Sequence, residues 1–243
     1  MYFNKLGTTI YNNITIPDIL KRIVVHEDLS ASELVNQYTI VENETPESVS
    51  FNYYGKVDYY WTIMLINNIK SRFFDWPLNS LDLGKHITVK YGNKTAIYFT
   101  EDQFQSKQPM CKSKYIIIEQ KKYNVHECDR NLNKIVVDKI NAADINANYP
   151  IAVSLIVDDE TNGVSMNTQK IDYENELAVH HFEGNESSPR QFIQEYITGN
   201  IKTNAILNYD YEVQLNENKR QIVLIKPDYI SLFVNEFTKI ANE

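Results

Sequence analysis

Two short helices separated by a glycine are predicted between Thr45 and Leu78, and this pattern limits the fold more than any other part of the sequence. Thr45 suits the N-cap of the first helix, because its hydroxyl can accept a hydrogen bond from an otherwise unpaired amide, and Pro46 suits the first helical position. Gly55 supplies the left-handed residue that commonly ends a helix. The second helix has an inner face of four residues at helical spacing: Tyr60, Trp61, Met64 and Leu65.

A short strand precedes these helices, and a pair of asparagines follows them. The run Tyr38-Thr39-Ile40-Val41 has the β-branched composition of a strand, and Asn67-Asn68 ends the second helix, since Asn tolerates the backbone conformations found there. The order strand, helix, glycine, helix, Asn-Asn is that of a LysM module, a small β-α-α-β fold. The sequence therefore predicts an α+β protein with a LysM-like module at residues 37–92.

Several motifs of this segment resemble one known family. They are Tyr53-Tyr54-Gly55, Tyr60-Trp61, Leu65-Ile66-Asn67-Asn68 and Asp75-Trp76-Pro77-Leu78. In this order they resemble the LysM-like baseplate wedge subunit of phages with contractile tails. The run from Asn216 to Ile222, followed by an apolar strand and a last helix, is similar to the end of the same family. The resemblance covers residues 38–92 and 208–243, whereas residues 93–175 match nothing in it.

The resemblance implies a structural protein of the virion that clamps neighbouring wedge subunits together around the central hub of the tail baseplate. Its implied partners are other wedge proteins and hub-proximal proteins, in a six-fold hetero-oligomer made and assembled in the host cytoplasm. The candidate family-motif and interface residues are Tyr54, Gly55, Tyr60, Trp61, Asn67, Asn68, Trp76, Pro77, Lys219, Arg220, Phe233 and Phe237.

Composition narrows the classes of partner. The net charge of −8 argues against a nucleic-acid surface, which needs clustered Lys and Arg to displace counterions. The sequence contains no run of about 18 apolar residues, so no membrane span is expected. Its N-terminus lacks the apolar centre of a signal peptide. Cys111 and Cys128 do not make the disulfide framework of a secreted protein, so a reducing cytoplasm is the expected setting. The 17 tyrosines are typical of protein interfaces.

Outside the LysM-like module, the sequence predicts three further segments. Residues 1–36 form an N-terminal arm with one or two helical turns, near Pro17 and near Ser30 or Ser32. Residues 93–200 form a β-rich region, and residues 201–243 form a C-terminal hairpin and an amphipathic helix. The strands predicted in these segments are 95–99, 115–118, 134–137, the pair 151–157 and 164–171 around Asn162-Gly163, and the C-terminal pair 209–215 and 220–225.

The last helix has an apolar stripe that must find a partner. The stripe begins after Pro227 and comprises Ile230, Phe233, Val234, Phe237 and Ile240. The helix can fold back on its own hairpin or pack into another subunit. A shared contact centred on Phe237 is favoured, because the family resemblance is dense here and Phe237 is near the free end of the helix.

Each group of residues that could carry chemistry has a simpler interpretation. Asp158, Asp159 and Glu160 stand at a predicted hairpin tip, where a solvated turn is expected rather than a paired-carboxylate site. His180 and His181 are adjacent on a strand and should point to opposite faces. The set Cys111, His126 and Cys128 lacks the paired C-x-x-C spacing of a zinc site. The sequence therefore predicts no enzyme, no cofactor and no metal.

Two alternative functions remain open at this point. The LysM fold also binds peptidoglycan sugars, and exposed tryptophans could stack on them; Trp61 is expected in the core, whereas Trp76 is undecided. A peptidoglycan-cleaving tail enzyme would need two carboxylates at catalytic separation in a cleft, and the sequence shows no such pair.

Overall fold

The computed structural model describes residues 7–18, 33–106, 110–145, 151–156, 164–183, 189–199 and 204–242, and these residues form the predicted α+β class of fold. The helices are α1 Pro46–Tyr54, α2 Tyr60–Ile66, α3 Ser80–Tyr91, α4 Glu101–Ser106, α5 Pro189–Ile197, α6 Asn208–Asn218 and α7 Pro227–Asn242. The strands are β1 Thr8–Tyr11, β2 Ile14–Pro17, β3 Val35–Thr39, β4 Lys94–Tyr98, β5 Tyr115–Ile118, β6 Lys121–Asp129, β7 Lys134–Asp138, β8 Ile151–Ile156, β9 Val164–Thr168, β10 Lys170–Asp172, β11 Val179–Phe182, β12 Ala205–Leu207 and β13 Gln221–Ile225.

The chain is organised into two compact units. Unit 1 consists of Met1–Asp82 together with Leu215–Glu243, and unit 2 consists of Leu83–Gln214. Unit 1 is therefore built from two pieces of chain that are far apart in sequence. The segment boundaries predicted after residues 36, 92 and 200 stay a prediction.

Unit 1 is centred on a two-stranded antiparallel sheet. Strand β3 pairs with β13, with Tyr38 opposite Ile222 and Asn36 opposite Leu224. Helices α1 and α2 follow β3, so the predicted order of strand, helix and helix is observed, but the partner strand comes from the C-terminal piece. The sheet and helices bury six apolar side chains: Ile40, Val49, Ile63, Trp76, Ile222 and Leu224. The LysM-like identity of this arrangement stays a prediction.

The ends of α1 follow the predicted local chemistry. The Ser48 amide donates to the Thr45 hydroxyl (3.2 Å), and the Thr45 amide donates to the Ser48 hydroxyl (2.8 Å), which forms a reciprocal capping pair. Pro46 is the first helical residue, and Gly55 ends the helix with φ +72°. The three predictions about this helix, for Thr45, Pro46 and Gly55, are confirmed.

The predicted C-terminal hairpin is wrong. The segment expected as a strand, 209–215, lies inside helix α6, while the strand expected at 220–225 forms as β13 and pairs with β3 instead. The alternating Tyr209, Tyr211, Val213 and Leu215 imitate a strand pattern. The buried positions of α6 are Asn208, Glu212 and Asn216, which recur every fourth residue; because these side chains are polar, a search for apolar periodicity misses them.

The N-terminal arm contains a hairpin that the sequence interpretation did not foresee. Strands β1 and β2 pair around Asn12 and Asn13, which have φ values of 49° and 61°. Positive φ at both central residues is the requirement of a two-residue type I′ hairpin. The helical turns predicted near Pro17 and Ser30 fall mostly on residues 19–32, outside the described residues, and Val35 belongs to β3.

Unit 2 is built around an antiparallel sheet of seven strands in the order β10-β4-β7-β6-β5-β8-β9. The two edge strands, β9 and β10, are separated in the chain only by Gln169. The sheet must therefore curl so that its two edges meet at this residue. The predicted pairing of 151–157 with 164–171 is confirmed by β8 and β9, although its tip at Asn162-Gly163 lies outside the described residues. The predicted strands at 95–99, 115–118 and 134–137 are confirmed as β4, β5 and β7.

Unit 2 also contains a disulfide between Cys111 and Cys128, whose Cα atoms lie 5.3 Å apart. Cys111 is in a short 3₁₀ turn, Met110–Lys112, and Cys128 is in β6. Both pack against the core inside the curled sheet, which includes Ile116, Ile135 and Val153. The sequence interpretation did not foresee this bond, because the spacing of two cysteines does not show that their sulfur atoms meet, whereas the fold does.

Candidate partner interface

All twelve predicted interface residues belong to unit 1, and four of them are buried: Trp61, Trp76, Pro77 and Phe237. Trp61 is 4% exposed, and its ring packs on that of Phe237 with centroids 4.8 Å apart. Phe237 is itself buried, together with Ala241, and Tyr60, Leu65, Phe233 and Val234 pack around them. The prediction that Trp61 is a core residue is confirmed.

The shared contact favoured for Phe237 does not agree with this packing. Helix α7 folds back on α2 of its own unit, so the ring of Phe237 is already covered. The stripe is also rotated relative to the prediction, because Ala241 is buried whereas Ile240 is 50% exposed. Tyr229, Leu232 and Ile240 lie on the outer side of the helix and are the apolar residues of α7 that remain exposed.

Tyr54 and Gly55 shape the end of α1 instead of a surface. Tyr54 is half-buried, and its ring packs edge-on against those of Tyr53 and Tyr59, with ring centroids 4.9 Å and 5.6 Å apart. Burial raises the pKa of the Tyr54 hydroxyl. Gly55 has no neighbouring atom close to where a Cβ would stand, so its requirement is conformational.

Asn67 connects the two pieces of unit 1. Its side-chain nitrogen donates to the backbone oxygen of Val223 (2.8 Å), and its side-chain oxygen accepts from the Val223 amide (2.9 Å). The same nitrogen donates to the backbone oxygen of Ile63 within α2 (2.8 Å). The next residue, Asn68, is exposed and left-handed, with φ 52°.

Asn216 forms the reciprocal connection; it begins the C-terminal motif of the family resemblance but was not among the predicted interface residues. Its side-chain oxygen accepts from the Leu78 amide (2.7 Å), and its nitrogen donates to the Leu78 carbonyl (2.9 Å). One asparagine of each piece thus satisfies both backbone polar groups of a residue in the other piece. The nearest sequence signal is the four-residue spacing of Asn208, Glu212 and Asn216 in α6.

Trp76 and Pro77 are buried, which answers the question left open for Trp76. Trp76 is 5% exposed, and its indole nitrogen donates to the backbone oxygen of Glu44 (2.7 Å). With Trp61 and Trp76 both covered, neither tryptophan offers a face on which a sugar could stack.

Lys219 and Arg220 stabilise neighbouring backbone. The Lys219 ammonium donates to the Phe74 carbonyl (2.7 Å). The Arg220 guanidinium donates to the Glu217 carboxylate (2.8 Å) and to the Ile40 carbonyl (3.3 Å), and it lies 3.6 Å from the Glu42 carboxylate. Both residues therefore fasten the C-terminal piece of unit 1 to its N-terminal piece.

The groups considered for metal binding are arranged differently from the expectation. A register shift in β11 brings the Nδ1 atoms of His180 and His181 to 2.9 Å, so the prediction that these rings point to opposite faces is wrong. His126 donates a hydrogen bond to the Asp138 carboxylate (2.7 Å), and the two cysteines are bonded to each other. Within the described ranges, no three His, Cys, Asp or Glu side chains are grouped as a metal site. Asp158, Asp159 and Glu160 lie outside them.

The described helices give no candidate for a membrane span, since none is both long enough and apolar enough. Residues 2–103 match the family model of base plate wedge protein 53 of phages. This match confirms the resemblance of residues 38–92 to a phage baseplate wedge family, whereas the resemblance of residues 208–243 lies outside the matched range and stays a prediction. The match supports a structural role in the tail baseplate in association with other baseplate proteins. No curated protein matches the chain.

Proposed function

We propose that this chain is a non-enzymatic component of a contractile-tail baseplate, where it ties neighbouring wedge subunits together around the central hub. The observation that carries the proposal is the match of residues 2–103 to a wedge protein family. The finer features, which are the six-fold hetero-oligomer, the hub-proximal partners and assembly in the host cytoplasm, belong to the proposal.

The construction of unit 1 suits a protein that holds others together. Its sheet joins residues 35–39 to residues 221–225, and the Asn67–Val223 and Asn216–Leu78 bridges join the same two pieces again. A pull on either piece is therefore resisted by strand pairing and by side-chain hydrogen bonds. Such cross-connection is useful where a subunit carries force between its neighbours.

The surfaces that would contact partners differ from those first predicted. Because Phe237 and Trp61 cover each other, the clamp must use side chains that unit 1 leaves in water. Two such places are the outer side of α7, with Tyr229, Leu232 and Ile240, and the N-terminal hairpin, with Ile10, Tyr11 and Ile14. A two-stranded hairpin is marginally stable alone, so a covering partner would stabilise it.

The proposal is tested by deleting the gene from the phage that encodes this chain. We expect particles without joined baseplates, and restoration when the intact chain is supplied in trans. The purified wild-type particle should also contain the chain in a fixed ratio to its other wedge proteins, measured by quantitative mass spectrometry. Normal baseplates in the deletion, or absence of the chain from wild-type particles, would disprove the baseplate role.

The alternative is a LysM module that binds peptidoglycan or another glycan. The burial of Trp61 and Trp76 weighs against it. Retention of the chain on purified cell walls, competed by chitin oligomers, would favour the alternative over the baseplate role.

A further inference from the structure

A loop in unit 1 holds two phenylalanines in water. We name residues Lys70–Asp75 the Phe loop; it joins α2 to the buried Trp76. Phe73 is 76% exposed and Phe74 is 78% exposed. Single exposed apolar residues are ordinary, but adjacent aromatic rings at this exposure form a compact apolar surface.

The Phe loop is held in one shape by its own hydrogen bonds. The Asp75 carboxylate accepts from the amides of Lys70 (2.9 Å) and Ser71 (2.8 Å), and the Asp75 amide donates to the Ser71 carbonyl (2.9 Å). The hydrogen bond from the Ser71 amide is the leading reason that the pKa of Asp75 is lowered. The turn therefore closes on a carboxylate that stays ionised.

Two cations fasten the Phe loop to the rest of unit 1. Lys219 donates to the Phe74 carbonyl (2.7 Å), and Arg72 donates to the Glu47 carboxylate of α1 (2.8 Å). The backbone on both sides of the rings is thus fixed before any partner arrives. A preorganised loop loses little conformational freedom on binding, which is the property of a binding anchor.

The size and position of this surface indicate its occupant. Two phenylalanine rings would bury on the order of 300 Å², well below the ~800 Å² per partner of a standard interface, so a second copy facing this loop would be too weakly held. The loop lies within residues 2–103, which match a baseplate wedge family, so a protein partner is favoured over a lipid surface. What fits two rigid rings is an apolar pocket in another protein, with the remaining contact area supplied elsewhere.

We propose that the Phe loop inserts Phe73 and Phe74 into an apolar pocket of a neighbouring baseplate protein, with acidic groups at the pocket rim facing the exposed Lys70. The inference rests on the proposed baseplate function and adds the surface and the chemistry of its partner. The basic side chain of Lys70 stands in the same turn as the rings, so it would reach the rim as the rings enter.

The test supplies variants in trans to phage that lack the gene and measures how much of the chain enters purified particles. The double variant Phe73→Ser/Phe74→Ser should enter at least about tenfold less than wild type, and Lys70→Glu should also enter less. The matched control is Leu81→Ser/Val89→Ser, which removes two other exposed apolar residues, from α3. Equal entry of the Phe double variant and wild type, or an equal loss in the control, would overturn the proposal.

Two further measurements keep the result clear. Thermal melts of the purified variants should match wild type, since the replaced rings are exposed. Independently of stability, a photoreactive phenylalanine at position 73 should crosslink to one baseplate protein in intact particles, and the absence of a crosslink would overturn the proposed pocket. A vesicle-binding assay tests the lipid alternative: if the wild-type chain binds anionic vesicles and the double variant does not, the proposed pocket is also overturned. Absence of wild-type chain from baseplates would instead overturn the proposed function, and the inference with it.

Discussion

The side-chain amide of Asn67 satisfies both the amide and the carbonyl of Val223, which lies 156 residues further along the chain. On the edge of β13 that faces α2, this one side chain acts as a neighbouring strand would. Asn216 does the same for Leu78 in the opposite direction. An amide is required in both places, because only an amide group offers a donor and an acceptor side by side.

Asn67→Asp should therefore lower the free energy of unfolding of unit 1. A carboxylate can still accept from the Val223 amide but cannot donate to the Val223 carbonyl, which it would also repel. We expect a loss of about 1–3 kcal/mol, measured by urea denaturation. Asn68→Asp is the matched control: it makes the same chemical change one residue away, at an exposed left-handed position that Asp tolerates, and should change stability by less than about 0.5 kcal/mol. Equal effects of the two changes would show that the bridge contributes nothing specific.

Phe237→Asp should unfold unit 1 or leave it severely destabilised. The change places a carboxylate against Trp61 in a buried cluster, and large losses of several kcal/mol follow when an unpaired charge is buried in this way. Thermal melts monitored by tryptophan fluorescence would detect it, because Trp61 reports on the same cluster. Leu232→Asp, on the exposed side of the same helix, should melt like wild type. A folded Phe237→Asp chain would mean that α7 does not pack on α2.

Gly55→Val should cost about 1–2 kcal/mol of stability. The residue has φ +72°, and no atom stands near a new Cβ, so the cost comes from the left-handed backbone alone. Gly84→Ala in α3 provides the contrast: this glycine also has open space around it but no positive φ, so alanine should stabilise the helix by up to about 1 kcal/mol. Chemical denaturation of both variants measures the difference in sign.

Reducing the Cys111–Cys128 bond should lower the stability of unit 2. The bond closes a loop with a sequence separation of 17, for which restriction of the unfolded chain predicts about 3 kcal/mol. Melts with and without a thiol reductant would show the shift. Cys128→Ser should reproduce the reduced behaviour and should be insensitive to the reductant; if the intact chain melts identically under both conditions, the bond contributes no stability.

Acid should weaken unit 2 through Glu212. Burial alone would raise the pKa of this carboxyl, but hydrogen bonds from Lys90 (2.6 Å) and Tyr91 (2.8 Å) outweigh it and hold the pKa below its ordinary value. A lowered folded-state pKa adds stability above the unfolded-state pKa, near 4.3, and that stability is lost as the pH falls through the folded-state value. Glu212→Gln should flatten this part of the pH-stability curve. An unchanged acid limb in the variant would assign the loss to other carboxyls.

Local signals in the sequence were reliable where one short segment determines the outcome. The Thr45 cap, the Gly55 stop and the Trp61 face depend on neighbouring residues, and each appears as predicted. The N-terminal hairpin carried a comparable signal, since two β-branched runs flank Asn12-Asn13, but it was overlooked.

The remaining features depend on residues that are distant in sequence. Strand β13 pairs with β3, and all of unit 2 lies between these two strands in the sequence. No local pattern could therefore distinguish this pairing from a hairpin with residues 209–215. The same limit applies to the interface. Phe237 and Phe73 are both aromatic in sequence, and only the fold shows that one is covered by Trp61 while the other stands in water.

The pairing of β3 with β13 also sets an order of events during synthesis. Strand β3 is synthesised early and β13 late, so the N-terminal piece of unit 1 has no partner strand until every residue of unit 2 has been made. Unit 2 has its complete sheet before then and can fold first. A product that stops short of Ile225 would lack the closing strand, leaving β3 with an open edge. Unit 1 can therefore fold completely only in chains that have been translated at least as far as β13. If binding to the other baseplate proteins depends on a folded unit 1, only such chains will be incorporated into the assembly.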